Sequence, residues 1–307
     1  MTIQQAKNFA KQELKSSPSP LLDCEVFLQK ILSLSKTQIL FSPQKEFSLE
    51  QEKKFLSFIN QRKTGLPVAY ITQCKEFYGY EFYVCPDVLI PKPDTEILVE
   101  KGIDELKNIF ETKKSFLRKI KILDMCTGSG CVGISVFKSA FENKIFDEEN
   151  APQLFLADIS EKALLVAKKN LSLLLSENLQ KNIFLVKTNL FENISDNFDL
   201  ILANPPYVPH SESIELLKDG RSEPLLALDG DALFNGNFSE KNDGLEIIRN
   251  LVPDAFLHLE SGCKFLCESG EYNAEKTLQI FKDCGFCDTE IFLDLEGQLR
   301  VSSGKRK

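Results

Sequence analysis

The chain has no tryptophan, and histidine occurs only twice in its 307 residues. His210 and His258 are therefore the whole supply of imidazole bases. Long apolar runs are missing too. No stretch approaches the ~18 residues of a membrane helix, and Met1 to Lys11 is polar and lacks a signal-peptide core. The expectation is a soluble cytoplasmic protein. An excess of basic charge is also absent: the net charge is −8 and the pI about 5.1. Duplex DNA binding leans on a basic surface, so the acidity argues against nucleic acid and fits a protein substrate at least as well. There is no internal repeat and no low-complexity tract.

The nine cysteines are an odd number in a long chain, which suits reduced thiols better than a disulfide framework. Cys263 and Cys267, followed by Cys284 and Cys287, have the look of a zinc pattern. However, Gly262 to Glu268 reads as a buried strand, and residues four apart in a strand lie about 13 Å from one another. Thiolates on one zinc each sit about 2.3 Å from it, so the strand excludes shared ligation and no metal is expected.

What is present is a large apolar fraction, 43 %, enough for two domains. Residues 1–72 read as a helical bundle. Ile3, Ala6, Phe9, Ala10 and Leu14 recur at helical spacing, Ser17-Pro18-Ser19-Pro20 breaks that helix, and Leu22 to Leu32 line a second. Ser48-Leu-Glu-Gln51 is a capping box opening a third helix, which Gly65 ends. Residues 73–95 form a linker. Its aromatic stretch Glu76 to Val84 turns at Gly79 as a β-hairpin, and Ile90-Pro-Lys-Pro-Asp-Thr-Glu96 is held extended by two prolines, with Asp94 or Thr95 placed to cap the next helix.

Residues 96–307 alternate helix and strand, with strands near 120–124, 154–158, 183–187, 198–204, 264–268, 288–293 and 299–303. Alternation predicts an α/β, doubly wound, mostly parallel seven-stranded Rossmann-like sheet. Such sheets bind ligands beyond the carboxyl ends of their strands, and the chemical motifs fall there.

Asp124-Met-Cys-Thr-Gly-Ser-Gly130 follows the first of these strands. Glycines let backbone approach a ligand, and the next helix N-terminus faces it. Gly128 to Gly133 also matches the dinucleotide fingerprint. Asp124 separates the two readings: a carboxylate there meets the cationic amino group of a methionine moiety and repels a pyrophosphate. Asp158, ending the next strand, is placed for ribose hydroxyls with either cofactor.

Asn204-Pro-Pro-Tyr207 ends strand 198–204. An amide nitrogen is a poor nucleophile because its lone pair is delocalised into the carbonyl. Accepting hydrogen bonds from both of its N–H groups pulls it toward tetrahedral geometry and frees that pair. Asn204 Oδ1 and the Pro205 carbonyl are the two acceptors, the prolines hold the carbonyl rigidly, and Tyr207 walls the planar group. A sulfonium methyl donor needs no base in the transfer step, so His210 reads as a loop residue. The motif therefore points to methylation of a planar amide or amine nitrogen from S-adenosylmethionine, with S-adenosylhomocysteine as the product.

These residues resemble the HemK/PrmC family, class I methyltransferases acting on the glutamine of the Gly-Gly-Gln motif in peptide-chain release factors. The likeness includes Gly65 to Ile71, Glu76 to Gly79, Ile90 to Glu96, Asp124 to Gly130, Asp158 to Ser160, Asn204 to Tyr207, Glu223-Pro and Asp243 to Leu245. Glu268-x-Gly270 and Asp294 to Val301 also match. The resemblance implies N5-methylation of that glutamine in class 1 release factors, by a monomer without direct contact to nucleic acid. Ribosomal-protein glutamine and adenine-N6 methylation are the alternatives, the last because Asn-Pro-Pro-Tyr is shared with adenine methyltransferases.

By the same resemblance Cys126, Thr127, Gly128, Ser129, Gly130 and Asp158 bind the cofactor, and the adenine contact falls near Asn189 or Leu190. Asn204 touches cofactor and substrate. Pro205, Pro206 and Tyr207 hold the glutamine, and Phe77 walls its pocket. The helical N-terminal domain grips the release factor. Four departures stand out: Cys126 where the family usually has glycine, Lys92 in place of arginine, Asn189 in place of aspartate, and an enlarged 232–242 loop.

Overall fold

The computed structural model describes residues 1–112, 118–218, 223–233 and 236–307. Two compact units emerge, one built on Met1–Cys74 and the other on Lys75–Glu215 with Glu223–Lys307. Among the described residues no helix is long and apolar enough to cross a membrane.

The first unit is helical: α1 (Ile3–Glu13), α2 (Pro20–Leu32), α3 (Lys36–Phe41), α4 (Leu49–Lys63) and α5 (Val68–Thr72). The expected capping box at Ser48 is present, with Gln51 N donating to Ser48 Oγ and Ser48 N to Gln51 Oε1. Thr2/Gln5 and Ser35/Gln38 repeat the device and open α1 and α3. Each satisfies amide donors that a helix start leaves without an intrahelical partner. Ile3, Ala6, Ala10, Leu14, Phe27, Leu28 and Phe55 fill the core.

The second unit opens with the hairpin, β1 (Lys75–Phe77) and β2 (Tyr80–Phe82). Tyr78 and Gly79 both have positive φ, 52° and 76°, as a two-residue turn twisted to match its strands requires. A single 3-10 turn at Pro93–Thr95 then leads into α6 (Glu96–Thr112). The chain continues through β3 (Lys121–Met125), α7 (Cys131–Glu142), β4 (Gln153–Asp158), α8 (Glu161–Leu174), α9 (Glu177–Gln180), β5 (Ile183–Lys187) and β6 (Phe198–Ala203). It ends with α10 (His210–Lys218), α11 (Glu246–His258), β7 (Leu259–Glu268), α12 (Ala274–Asp283), β8 (Cys287–Leu293) and β9 (Leu299–Lys305).

The sheet has seven strands in the order β5-β4-β3-β6-β7-β9-β8. The first five are mutually parallel. β9 returns antiparallel between β7 and β8. The mixed, mainly parallel sheet is the one the alternation predicts. β6 reads Phe-Asp-Leu-Ile-Leu-Ala and is buried throughout, because helices cover both faces of a parallel sheet. Its one charge, Asp199, is held by both Arg118 nitrogens at 2.8 and 3.0 Å and by the Lys121 amide.

Strand order reverses at β3, with β4 on one side and β6 on the other. That reversal opens a crevice beyond the carboxyl ends of these strands, where Asp124, Asp158 and Asn204 lie.

Candidate active site

A cavity of about 310 Å³ occupies this crevice, within the usual range for small-molecule sites. Its walls include Asp124 to Ser129, Asp158, Thr188 to Leu190, and Asn204 and Pro206. All the predicted cofactor residues except Gly130 therefore meet at one place.

The loop after β3 is shaped by left-handed backbone. Cys126, Gly128 and Gly130 have φ of 59°, 55° and 80°. Side chains disfavour this region by about 1–2 kcal/mol, which is the physical reason a glycine is usual where Cys126 stands. Gly130 is the N-cap of α7. A Cβ there would meet Ile134 Cδ1 at 2.7 Å and Ala167 Cβ at 3.3 Å.

Two acids end the neighbouring strands. Asp124 is buried, and its Oδ2 accepts from Thr127 Oγ1 at 2.6 Å and Gly133 N at 2.9 Å. Burial nevertheless pushes its carboxyl up to about 7, because neither donor carries a full charge to offset lost solvation. Asp158 is half-buried and also raised by burial. It accepts from Gly128 N at 2.8 Å and Ser160 N at 2.9 Å. Two carboxylate oxygens offer about four lone-pair directions, so capacity remains for a diol.

The loop is braced from behind. Asn170 on α8 is fully buried. Its Nδ2 donates to Ser129 O at 2.8 Å and Tyr83 O at 3.0 Å, and its Oδ1 accepts from Tyr83 N at 2.7 Å. It thus ties the glycine loop to the segment after the hairpin. Sequence reasoning passed over it, since an asparagine on a helix carries no motif.

Asn204 to Tyr207 leaves β6 under tight backbone constraint. A Cβ on Gly244 would lie 2.1 Å from Tyr207 O, and one on Gly230 would lie 2.7 Å from Tyr207 Cα. Val208 N donates to Leu228 O and Gly230 N to Val208 O. The Ala-Leu-Asp-Gly230 and Asp-Gly-Leu245 stretches are thereby the clasp that holds the motif's backbone. The Tyr207 carbonyl also accepts from Tyr272 Oη and Asn273 Nδ2, both at 3.1 Å.

Thr95 departs from its expected place. Instead Thr95 is buried and its Oγ1 accepts from Asn204 Nδ2 at 3.1 Å. Glu268, at the end of β7, is buried. Its Oε1 accepts from Tyr207 Oη at 3.2 Å. Burial raises its carboxyl to about 7, opposed by the Thr95 hydroxyl, the Arg300 charge and Tyr207. Burial and Glu268 together push the Tyr207 phenol well above its ordinary range, keeping it a donor.

Not every predicted residue reaches the cavity. Phe77 points inward, packed edge-on to Phe82 with ring centroids 6.1 Å apart, and shares a core with Leu98 and Val99. It is not among the residues lining this cavity, because hairpin register rather than aromaticity decides which face it takes. Pro205 and Tyr207 are also outside the lining; the tyrosine ring packs against the core beneath β6. His210 is no loose loop residue: it begins α10, pairs with buried Asp229 at 2.5 Å and stacks on Phe238. Lys92 keeps the role of a cation, its Nζ reaching both Glu223 oxygens at 2.8 and 3.0 Å. Asn189 donates to Glu192 Oε1 while lining the cavity. Residues 234–235 of the enlarged loop lie outside the described residues, while Ala232, Leu233 and Gly236 line the cavity. Cys263 and Cys267 both fall in β7, all nine cysteines are thiols, and no metal-holding cluster occurs among the described residues.

Residues 98–219 match the methyltransferase small domain, and residues 5–72 the PrmC N-terminal domain. The fold is that of the hMettl16 catalytic domain, solved with MAT2A 3'UTR hairpin 6. That likeness has a TM-score of 0.51 at 15 % identity and covers 85 % of this chain and 82 % of that one. Fold and site together define a class I methyltransferase that uses S-adenosylmethionine. The chain is 33 % identical to the release factor glutamine methyltransferase of Leptospira interrogans over 97 % of its own length and 94 % of the relative's. It is 32 % identical to the bifunctional methyltransferase of Rickettsia typhi but spans about half, 52 %, of that protein. The chain belongs to the release factor glutamine methyltransferase family.

The residues present fit the cofactor. A buried acid suits its amino cation and a second acid with spare lone pairs suits its ribose. The α7 N-terminus suits its carboxylate, and Asn189 with Leu190 offers an edge for adenine.

Proposed function

We propose that this protein transfers a methyl group from S-adenosylmethionine to the side-chain amide nitrogen of the Gly-Gly-Gln glutamine in class 1 release factors, in the cytoplasm. The observation that carries the reading is Asn204. It lines the cavity, its Nδ2 is committed to Thr95, and among the described residues nothing donates to its Oδ1. The free acceptor beside the cofactor pocket is what an amide N–H needs.

S-adenosylmethionine supplies a methyl group on a sulfonium centre. Asp124, Asp158 and the 126–130 loop hold and orient it. Asn204 Oδ1 and the Pro205 carbonyl take the two amide hydrogens of the glutamine, which pyramidalises the nitrogen and aims its lone pair. No residue has to remove a proton before transfer; the product sheds one to solvent. The rate gain comes from alignment and fixed dipoles. Tyr207 holds the motif's far end through Glu268, and the helical Met1–Cys74 unit grips the release factor.

Purified protein, labelled S-adenosylmethionine and purified release factor are mixed, and the modified peptide is sequenced. Label on the Gly-Gly-Gln glutamine supports the reading, and label on RNA, DNA or another protein residue overturns it. Asn204→Ala should abolish transfer with thermal unfolding unchanged; an active Asn204→Ala enzyme refutes the amide clamp.

A further inference from the structure

The mechanism makes no use of Gly270, although Glu268-x-Gly270 matches the family pattern. Its φ of −68° suits any residue, so backbone freedom does not explain it. Close approach does. A Cβ there would stand 2.7 Å from Tyr272 Cε1 and 2.9 Å from its Cζ. The glycine seats a tyrosine whose ring is largely exposed and whose hydroxyl donates to the Tyr207 carbonyl at 3.1 Å. The next residue, Asn273, is buried and donates to the same oxygen from Nδ2, also at 3.1 Å. We infer that Tyr272 and Asn273 are positioning residues for methyl transfer, which fix the aim of the Pro205 carbonyl by holding the Tyr207 carbonyl two residues on. The inference rests on the Pro205 carbonyl being one of the two acceptors proposed above.

The reacting stretch cannot hold its own backbone. Pro205 and Pro206 have no N–H to donate. Among the described residues nothing donates to the Pro205 carbonyl, which is the condition for its accepting from substrate. β6 ends at Ala203, so the sheet ladder no longer fixes the chain here. The next fixed points are Val208, tied through its amide to Leu228 and through its carbonyl to Gly230, and the Tyr207 carbonyl, tied by the two side chains. Proline fixes φ at 206, so a carbonyl pinned at 207 leaves little freedom at 205.

Asn273 gives up a local role for this one. It is the N-cap residue of α12, where an asparagine Oδ1 ordinarily accepts an amide of the first turn, yet no side-chain cap bond forms. A carbonyl oxygen can only accept, so Tyr207 O selects the Nδ2 end of the amide. Oδ1 is left buried and without a partner among the described residues. A forgone cap and an unpaired buried acceptor are both unfavourable, and local rules broken in this way mark functional positions. The turn that carries the two donors is itself firm. Ser269 N donates to Arg300 O on β9 at 3.0 Å, Asn273 N to Gly270 O at 3.1 Å, and Thr277 Oγ1 to Asn273 O at 3.0 Å.

The test is steady-state methylation of purified release factor at saturating S-adenosylmethionine by the parent, Tyr272→Phe and Asn273→Ser. Calorimetric cofactor titration and thermal unfolding are run on the same preparations. Tyr272→Phe keeps the ring on Gly270 and removes only the hydroxyl. Asn273→Ser supplies a side chain that caps α12 and is too short to reach Tyr207 O. Each should lose roughly 5- to 50-fold in kcat from misplacement of one acceptor, with KM for release factor and cofactor affinity within about twofold of the parent. Asn273→Ser should nevertheless melt at or above the parent's temperature, whereas a merely structural residue would lose activity and stability together. Parental kcat in either variant, or a loss in Asn273→Ser that tracks a lower melting temperature or weaker cofactor binding, overturns the inference. If Asn273→Ser fails to fold, Tyr272→Phe decides alone. An inactive Asn204→Ala beside unaffected Tyr272→Phe and Asn273→Ser sinks only this inference, whereas an active Asn204→Ala sinks the amide clamp itself.

Discussion

Gly133 sits in α7 with its amide aimed at Asp124, and replacing it by alanine tests how that acid is held. On helix propensity alone Gly133→Ala should stabilise by about 1 kcal/mol. The surroundings reverse the sign. An added Cβ would stand 2.7 Å from Leu156 Cδ2 and 2.9 Å from both Asp124 Cβ and Oδ2. None of these neighbours is the end of a flexible exposed chain: Leu156 and Asp124 are buried on adjacent strands. Overpacking of this kind costs about 1–3 kcal/mol. Moving α7 away also stretches the 2.9 Å bond from Gly133 N to Asp124, and a hydrogen bond to a charged group contributes roughly 1.5–3 kcal/mol. Set against the propensity gain, the net loss is about 2–4 kcal/mol, or roughly 5–15 °C in Tm for a unit of this size. Differential scanning calorimetry measures the first effect. Titration with S-adenosylmethionine should show affinity weakened by about tenfold or more, the equivalent of at least ~1.4 kcal/mol. A variant that melts at or above the parent's temperature and binds cofactor equally well would refute the packing argument.

Ser135, two residues along the same helix, should behave oppositely. Its Oγ is buried without a partner, so Ser135→Ala should be neutral or stabilising by about 1 kcal/mol; a lower melting temperature counts against it. Cys126→Gly relieves the left-handed backbone at φ 59° and should be neutral to about 1 kcal/mol stabilising, whereas the β-branched Cys126→Val should cost about 2 kcal/mol or more. Urea melts that rank valine with glycine would contradict this. Cofactor binding should depend on pH through Asp124. Its folded pKa is raised to about 7, so the free protein holds a proton that an amino cation must displace. Affinity should therefore rise as pH climbs toward about 7, by up to tenfold per unit, and level off above it. Calorimetry showing a flat or falling affinity over that range removes the assignment. In the free protein the sign is opposite: the folded state keeps this proton while the unfolded carboxyl has lost it, so Asp124 lowers stability as pH rises from about 4 to 7.

The alternation of strand and helix was legible because it is a local pattern, and β3, β4, β5 and β6 fall where apolar periodicity places them. The six-residue α3 was not, since too few positions repeat to show a period, although Ser35-x-x-Gln38 marked its start. Thr95 shows where local rules end. A threonine ahead of a helix reads as a cap, yet Asn204, 109 residues away, claims its hydroxyl. Glu268 was quoted only as part of a family likeness, because an acid at a strand end looks solvated until β9 and the 93–95 turn close over it. Phe77 lies outside this cavity's lining for a related reason: aromatic character fixes that a side chain is buried, while the turn at Tyr78 and Gly79 fixes where. Cys126 was legible as an anomaly, and the backbone supplies its meaning.

The clasp formed by Gly230 and Gly244 has a consequence for how the substrate side of this enzyme can vary. Asp231, fully buried, takes the Gly244 amide on both carboxylate oxygens and the His210 amide besides. The two ends of the 232–242 loop are thereby pinned together at a base that also grips Tyr207. A loop whose ends are already joined gains length at little entropic cost, about 0.6 kcal/mol per doubling. Its tip can be rebuilt without loosening the backbone grip on Tyr207. The enlarged loop is thus a replaceable rim on a fixed chemical centre, open to exchange by grafting at Gly230 and Gly244.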